Sequence, residues 1–481
     1  MRPIALLVCF FWPALFILLR IAYLLAIARS DFSRFCHVAN ISCSFQPQPD
    51  STLLLSSGCG RHWPDGRGIF HNDAENFLVW VNEEDHMRII SMQKGPAIVE
   101  IFTRFSKACA QIEEVIKKEG YSFMHNDHLG YVLTCPSNLG TGLRAGAMVK
   151  IPLFSSRPDF KSCLSTVKLQ VRGSRGVDSA SKGGVWDISN SDRLGTSEVD
   201  LCNIFIEGIA NVIRWEQMLE KGQSPDASMR AYFLEFRGKY PHYFYPPMAV
   251  SSTLDDVPEW IRLGCGDDEY ICAEKGATFP GDRCPDALPD LSEHANLCAT
   301  ALRRNPDWYE KYKNVKTSNG VTLAKCIKTG IDNPGHPMIL TCGLVAGDEE
   351  SFTAFKDVFD EVIAKRNGGF GPDAKHPSNM DYTQLSKTVI DPTGKYVIST
   401  RCRTGRAVRG FPLPPSCTFQ QRRKLEALIV KALESMTGEL KGRYYGLHGS
   451  KSTNKAMSEE EAERLRGSGK LFQEVYTTEP Q

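Results

Sequence analysis

The sequence lacks an excess of charge of either sign. Its 57 Lys and Arg residues are balanced by 56 Asp and Glu residues, which leaves a formal charge of +1. It therefore has neither the global basic field that attracts nucleic acid nor the acidic excess typical of disordered chains. A charged ligand has to be bound by a local cluster of side chains. With 481 residues, the chain is long enough for two or three globular domains.

The sequence also lacks the regular cysteine pairs of secreted disulfide proteins. Its 16 cysteines are scattered, so we expect most of them to be reduced thiols in the core. Neither two CxxC pairs nor a Cys/His set at zinc spacing occurs, so we expect no structural metal site. The expected location is the cytoplasm, with a membrane-associated location as an alternative.

One long apolar run lies at the start of the chain. Residues 4–28 are apolar apart from Pro13 and Arg20, which is about enough for one membrane span. A signal peptide is an alternative, although no clear small-residue cleavage site ends the run. A wrongly assigned first segment is a third explanation, so membrane attachment through residues 4–28 is one of three interpretations.

Further along, strands and helices mix without the regular alternation of a doubly wound fold. Two β-rich runs flank an acidic turn within residues 77–92, which predicts neighbouring strands. Apolar residues at helical spacing predict three long helices, at 98–119, 199–220 and 419–436. Further short strands are expected at 131–134, 148–152, 169–172 and 397–400. This pattern, together with a helical interval at 290–387, predicts an α+β fold.

Several arginines occur in unusual local sequences. Arg401 and Arg403 alternate in STRCR, so on a strand their side chains point to the same face. The others are Arg88 after NEEDHM, Arg144 ending CPSNLGTGLR, Arg172 opening RGSRG, and Arg193 in SNSDRLG. Arginine binds phosphate bidentately and keeps its charge, and phosphoryl transfer depends mainly on positioning and electrostatic stabilisation. The set indicates a phosphate site.

These segments resemble the phosphagen kinase family. CPSNLGTGLR at 135–144 is similar to the family signature, and NEEDH at 82–86 resembles its acidic loop. NPGHP at 333–337 and VAGDEES at 345–351 resemble the creatine kinase branch. The resemblance implies an ATP:guanidino phosphotransferase that moves a phosphoryl group reversibly between MgATP and creatine. It also implies a small all-helical domain and a larger catalytic domain with a mostly antiparallel sheet flanked by helices.

The resemblance assigns the chemistry to two loops. Glu84, with Glu83 beside it, resembles the carboxylate that orients the guanidinium and accepts its proton. Cys135 resembles the reactive cysteine of the family. Its thiolate, favoured by the Ser137 hydroxyl, would stabilise the substrate cation without forming a covalent intermediate. Glu84 and Cys135 are thus expected to contact the substrate as well.

Nucleotide binding is implied for a set of basic residues. The resemblance implies phosphate contacts for five arginines: Arg88, Arg144, Arg172, Arg401 and Arg403. It implies nucleotide contacts for Arg193 and Ser399. Mg2+ would enter with ATP or ADP and be held largely by phosphates and water, so no protein metal ligand is expected. Met148 and Gly469 stand near places where the family has histidines, which affects nucleotide affinity more than chemistry.

Two residues bear on the choice of guanidino substrate. Ile339 and Val177 occupy places that resemble the apolar pocket for the N-methyl group of creatine. A carboxylate at the place of Val177 would suggest arginine, so Val177 favours creatine. Taurocyamine, glycocyamine and arginine stay open, because one missing methyl group in an apolar pocket costs only about 1–3 kcal/mol.

The order of the segments differs from that of the family, whose small helical domain comes first. Here residues 51–223 resemble the C-terminal part of the catalytic domain, 285–387 the small helical domain, and 388–474 the first part of the catalytic domain. Residues 1–50, 224–284 and 475–481 form an apolar N-terminal segment, a linker and a tail. The chain is therefore circularly permuted. A slice through a tandem array of a flagellar-type kinase gives the same order, and we favour that origin over a true permutation. The resemblance to such a kinase makes a flagellar location another alternative to the cytoplasm.

The permutation splits the expected sheet between residues 51–223 and 388–474. Its open strand edges are costly unless they pair within the chain or with a second copy, and we expect pairing within the chain. A homodimer and a catalytically silent fragment are the alternatives.

Overall fold

An eight-stranded sheet forms the centre of the fold. The computed structural model describes residues 52–173, 183–243, 279–335, 340–453 and 455–471. These lie in one unit, residues 52–472. The apolar run at 4–28 and the two residues expected in the N-methyl pocket, Val177 and Ile339, lie outside the described residues.

The strands of this sheet come from both ends of the chain. In sequence order they are β1 Gly68–Asn72, β2 Phe77–Val81, β3 Met87–Lys94, β6 Arg144–Lys150, β7 Leu169–Arg172, β8 Val185–Asn190, β9 Val397–Arg406 and β10 Gly442–Gly446. Their order in the sheet is β10-β1-β2-β3-β9-β6-β8-β7, with every pairing antiparallel. A separate two-stranded sheet joins β4 His125–Asn126 to β5 Gly130–Tyr131. The expected antiparallel sheet is confirmed.

Strand β9 lies between β3 and β6 and pairs with both. A strand from the last part of the chain thus separates two strands from the first part. Strand β10, also from the last part, pairs with β1. The two pieces therefore satisfy each other's backbone hydrogen bonds, and the expectation of pairing within the chain is confirmed.

Helices cover the sheet and build the remaining region. They are α1 Thr52–Ser56, α2 Ile98–Lys118, α3 Pro152–Ser155, α4 Phe160–Thr166, α5 Glu198–Glu220, α6 Asp226–Lys239, α7 Leu297–Arg304, α8 Pro306–Tyr312, α9 Leu323–Asp332, α10 Ser351–Ala354, α11 Lys356–Arg366, α12 Phe419–Glu434 and α13 Glu459–Gly467. The three long predicted helices are observed as α2, α5 and α12. Sequence explains two of their starts: Ser197 caps α5, and Thr418 with Gln421 forms a capping box on α12.

Two apolar cores hold the fold together. The larger joins α2, α5 and α12 to one face of the sheet through fully buried residues such as Phe102, Phe205 and Leu433. The second lies among the helices of residues 297–366 and includes Phe355. It also contains Leu133, next to the signature segment, so the helical region and the signature segment share one core.

Three local predictions need correction. The predicted linker contains helix α6, whose Met229, Tyr232 and Phe236 recur at helical spacing and are buried. The strand expected at 131–134 is limited to Gly130–Tyr131. The strand expected at 148–152 is β6, which begins at Arg144 and ends before Pro152, because proline favours the first turn of a helix, here α3.

The cysteines of the described residues occur as free thiols. All eleven described cysteines are free, and most are buried. Within the described ranges, no helix is both long enough and apolar enough to cross a membrane.

Candidate functional site

Four strands, β3, β6, β7 and β9, bring five arginines to one face of the sheet. Residues directly opposite each other in an antiparallel pair point to the same side. Arg403 on β9 is opposite Arg144 on β6, and Arg401 is opposite Gly146. Similar pairings place Arg88 (opposite Gly405) and Arg172 (opposite Asp187) on this face. We call this set, Arg88, Arg144, Arg172, Arg401 and Arg403, the arginine face.

Alternation along β9 produces the central part of this face. Ser399, Arg401 and Arg403 are half-buried on one side, while Thr400, Cys402 and Thr404 are fully buried on the other. The prediction that Arg401 and Arg403 point together is confirmed. Ser399 lies beside them and pairs in register with Met148.

Asp187 on β8 connects two of the arginines. Its Oδ2 atom accepts a hydrogen bond from Arg144 Nη2 at 2.8 Å and another from Arg401 Nη2 at 2.5 Å. Arg144 also donates from Nε to Ser189 Oγ at 3.1 Å. The side chains of Arg144 and Asp187 are only 7% and 9% exposed. Asp187 was not among the residues predicted from the sequence, although a carboxylate inside the β-rich run VWDISN is a signal that could have revealed it.

The arginine face carries more positive charge than its neighbours neutralise. Burial, with additional repulsion from Arg401, Arg172 and Arg193, lowers the pKa of Arg144 to about 9 in spite of Asp187. The pKa of Arg403 is also well below its ordinary value, because the side chain is buried next to Arg88 and Arg144. Such a cluster is stabilised by an anion with several charged oxygens.

The acidic loop lies at one end of the face. Arg88 binds both of its glutamates, with Nε 3.1 Å from Glu83 Oε2 and Nη2 hydrogen-bonded to Glu84 Oε2. Burial acts to lower the pKa of Arg88, but the charges of Glu83, Glu84 and Asp85 outweigh it and raise this pKa above its ordinary value. Arg88 therefore differs from Arg144 and Arg401, since it is held by the acidic loop and not by Asp187.

Asp85 fixes the acidic loop to the signature segment. Its Oδ1 accepts the backbone N–H of Thr134 at 2.9 Å, and Thr134 Oγ1 donates to the carbonyl of Glu84 at 2.9 Å. Burial raises the pKa of Asp85 to about 6, with a smaller contribution from Glu84. Asp85 was not among the residues predicted from the sequence, yet it joins the acidic loop to Thr134, the residue before Cys135.

Cys135 lies immediately before the 3-10 turn Pro136–Asn138. Its Sγ is 3.1 Å from Ser137 Oγ. A hydrogen bond from the Cys342 thiol lowers the pKa of Cys135, with Ser137 acting in the same direction, while burial and the charge of Glu84 oppose the shift. Glu84 is therefore close enough to Cys135 for its charge to act on the thiol. Cys342 is a contact that sequence inspection did not find.

Arg193 lies in the loop after β8 and is buried. Burial, followed by the charge of Arg366 at the end of α11, lowers its pKa to about 10. The charge of Cys135 acts to raise the pKa of Arg193. Arg193 and Arg366 therefore extend the cationic region from the sheet towards the helical region, and Arg366 was absent from the sequence prediction.

Met148 and Gly469, at places where the resemblance implies histidines, lie in different parts of the fold. Met148 is on β6, opposite Ser399 and Asp187, beside the arginine face. Gly469 follows α13 with a φ of +68°, a backbone conformation that glycine adopts readily. Met148 is thus positioned next to the site.

Two family models match the chain, and the match to the C-terminal domain comes before the match to the N-terminal domain. The C-terminal catalytic domain of ATP:guanido phosphotransferase matches residues 41–219. The N-terminal domain of the same family matches residues 292–364.

Three relatives match the chain over different lengths and with different identities. The flagellar creatine kinase of Strongylocentrotus purpuratus is 44% identical over 418 residues, which cover 87% of this chain and 31% of that protein. The arginine kinase of Anthopleura japonica is 35% identical over 400 residues, which cover 82% of this chain and 46% of that protein. The testis creatine kinase of Oncorhynchus mykiss is 58% identical over 184 residues, covering 38% and 48%. The chain spans less than half the length of each of these relatives.

Proposed function

Because the chain belongs to the ATP:guanido phosphotransferase family, we propose that it transfers a phosphoryl group reversibly between MgATP and a guanidino substrate, with creatine as the preferred substrate. One observation carries the proposal. An arginine face with uncompensated positive charge lies beside a glutamate pair and a cysteine whose pKa is lowered. Phosphoryl transfer to a guanidino nitrogen needs these three elements together.

The arginine face binds the phosphates in this proposal. Arg144 and Arg401 are oriented by Asp187, so their remaining N–H groups are fixed before ATP arrives. Arg172 on β7 and Arg403 on β9 flank them. Donors that are already oriented stabilise the charge spreading over the transferred group without reorganisation during the reaction.

Glu84 acts as the general base and Glu83 supports it. Both carboxylates already bind a guanidinium group, that of Arg88. The same geometry suits the guanidinium of a substrate, which is planar and donates in parallel. Glu84 would orient that group and accept its proton as the phosphorus–nitrogen bond forms.

Cys135 acts as an electrostatic partner of the substrate cation. Its lowered pKa favours the thiolate. A thiolate next to the guanidinium stabilises it without forming a covalent intermediate.

Magnesium fits this site as a companion of the nucleotide. Within the described ranges, no group of three His, Cys, Asp or Glu side chains could hold a metal ion. A small hard cation that keeps its waters and binds the phosphates needs no such cage. When bound, it neutralises phosphate charge alongside the arginine face.

Creatine is proposed on sequence grounds, from Ile339 and Val177 in the place of an N-methyl pocket. Since both lie outside the described residues, the substrate has to be identified by assay. The free thiols support a reducing compartment, and we propose the cytoplasm. We also propose that residues 4–28 attach the protein to a membrane and that the protein forms a homodimer. Light scattering with and without liposomes tests both.

A coupled assay of ATP consumption with creatine, arginine, taurocyamine and glycocyamine tests the activity. We expect turnover that is fastest with creatine. Glu84→Gln should lower kcat by about 10²–10⁴-fold, because it removes the general base. Glu349→Gln is the matched control, since Glu349 is partly exposed and paired with Arg409. A folded protein without turnover on any of the four substrates would identify a catalytically silent fragment.

A further inference from the structure

Helix α6 and the short 3-10 turn after it, Pro241–Tyr243, lie between the two intervals that match the family models, 41–219 and 292–364. The helix packs on α5 through its aromatic side chains. The turn packs on the helix in the same way, because the ring of Tyr243 stacks on that of Phe236 with the centroids 6.3 Å apart and the planes at 7°. The segment is thus fixed to the catalytic region, and Tyr243 has a defined position on it.

Tyr243 contacts the loop that joins β8 to α5. We call residues 191–196 the Arg193 loop, after the arginine for which the sequence predicts a nucleotide contact. The hydroxyls of Tyr243 and Thr196 share a hydrogen bond at 2.6 Å. Thr196 is only 4% exposed, so water does not readily replace this partner. Losing one hydroxyl would leave the other unpaired in a buried place.

Lys168, between α4 and β7, connects Tyr243 to the other end of the same loop. Its Nζ atom lies 3.4 Å from Asp192 Oδ2 and 4.6 Å from the centroid of the Tyr243 ring. An ammonium group over an aromatic face is attracted by the ring. The carbonyl of Lys168 also accepts the N–H of Ser191 at 2.9 Å. Tyr243 therefore acts on the loop at both ends, directly at Thr196 and through Lys168 at Asp192.

The middle of the Arg193 loop is held by the rest of the catalytic region. The carbonyl of Arg193 accepts the N–H of Thr141 at 2.9 Å, and the N–H of Gly195 donates to Nδ1 of His376 at 3.0 Å. The Arg193 guanidinium lies close enough to Arg172 to feel its charge. The backbone of the loop thus sets the direction of Arg193 relative to the arginine face.

We propose that Tyr243 is a positioning residue for nucleotide binding, which holds the Arg193 loop in the conformation that directs Arg193 at the nucleotide. The proposal rests on the proposed function, since it assumes that ATP binds beside Arg193. A loop that is ordered before binding increases affinity, because the nucleotide does not have to order it. Tyr243 acts through Thr196 and Lys168 and contacts none of the reacting groups.

The first test is Tyr243→Phe, which removes only the hydroxyl and keeps the ring against Phe236 and Lys168. The KM for ATP should rise about 3–10-fold, the effect of losing one buried hydrogen bond. The value of kcat should stay at that of the wild type, because Glu84 and Cys135 are unchanged. A residue that only supports the fold would not give this division between KM and kcat.

Two further variants show whether the effect comes from this hydrogen bond. Thr196→Val removes the other hydroxyl, so the double variant should raise the KM for ATP no further than Tyr243→Phe alone. Tyr240→Phe is the matched control, because the ring of Tyr240 packs on the same Phe236 at 5.0 Å between centroids. Among the described residues, no hydrogen bond joins the Tyr240 hydroxyl to the Arg193 loop. Tyr240→Phe should leave the KM for ATP unchanged.

Hydrogen exchange and ATP titration test the same role without turnover. The N–H groups of Ser191 and Gly195 are hydrogen-bonded, so their exchange reports opening of the Arg193 loop. In the ligand-free protein, Tyr243→Phe should exchange these amides faster than the wild type does. Its Kd for ATP should rise by the same factor as the KM.

The outcomes separate the two proposals. Unchanged loop exchange and unchanged ATP affinity in Tyr243→Phe would overturn the positioning role. It would also be overturned if Tyr240→Phe weakened ATP binding equally, or if the effects of Tyr243→Phe and Thr196→Val were additive. A chain that shows the expected changes in exchange and ATP affinity but turns over no guanidino substrate supports the positioning role and contradicts the proposed transferase activity.

Discussion

The carboxylate of Asp187 lies 2.8 Å from the guanidinium of Arg144, at the middle of the arginine face. The same oxygen also binds Arg401 at 2.5 Å. One acidic residue therefore orients two cations from strands that come from opposite ends of the chain. The relationship has consequences for both stability and ligand binding.

Replacing Asp187 by Asn should destabilise the ligand-free protein by about 3 kcal/mol, since breaking a buried ion pair leaves its partner charge uncompensated. Urea unfolding followed by circular dichroism measures this. Because a polyanion would neutralise the arginines left behind, saturating ATP should stabilise Asp187→Asn more than the wild type. Equal stabilisation of both proteins by ATP would show that Asp187 does not control the charge of the face.

Two arginines on β9 should respond differently to the same substitution. Arg403 lies on the arginine face among other cations, so Arg403→Gln removes an unneutralised charge. It should weaken ATP binding without loss of stability. Arg406 is fully buried, 3.8 Å from the equally buried Glu198 and stacked on Tyr131. Arg406→Gln should cost about 3–5 kcal/mol of unfolding free energy.

ATP titration and urea midpoints, measured on both β9 variants, test this division. A loss of stability in Arg403→Gln as large as that in Arg406→Gln would contradict the assignment of Arg403 to the ligand site. Both variants replace an arginine by glutamine on the same strand. Differences in expression or strand propensity therefore do not explain a case in which one variant loses ATP binding and the other loses stability.

His86 should make the fold sensitive to acid. The ring accepts the N–H of Val408 at Nδ1 and contacts the carbonyl of Pro412 at Nε2, both at 2.9 Å. Burial lowers its pKa from 6.5 to about 4. Between pH 6.5 and pH 4 the unfolded state therefore binds more protons than the folded state, so stability falls as the pH falls from 6.5 towards 4. A single such group loses about 2 kcal/mol between pH 7 and pH 5.

His86→Gln should reduce this pH dependence even if it lowers stability at pH 7. The readout is the difference in unfolding free energy between pH 7 and pH 5, which does not include the pH-independent cost of the substitution. His242→Gln, at an exposed position, should leave the difference unchanged. An identical pH difference in wild type and His86→Gln would rule out this role for His86.

Fragments should fold only in combination. A fragment that ends at residue 243 contains β3 and β6 but lacks β9, so two strand edges are left without partners. We expect it to aggregate alone and to form a one-to-one complex with a fragment of residues 279–481. Size-exclusion chromatography with light scattering gives the mass. A monomeric, cooperatively unfolding 1–243 fragment would contradict the shared sheet.

The sequence was sufficient for many local features. Helices α2, α5 and α12 were predictable because each has a long apolar stripe at helical spacing, with cap residues at the start of α5 and α12. The arginines of STRCR were predictable as one group because alternation on a strand is a local rule. Helix α6 was missed because Pro, Gly and aromatic residues around it resemble a linker, and only packing on α5 shows which residues are buried.

Motif order and motif content together established the family and the permutation, since each signature occurs in one contiguous stretch of chain. Tertiary structure decided the rest. The position of β9 between β3 and β6, the sharing of Asp187 by Arg144 and Arg401, and the hydrogen bond from Thr134 to Asp85 all join residues far apart in sequence. Such contacts depend on strand order and core packing, which no local periodicity encodes, so these relationships exist only once the two halves close on one another.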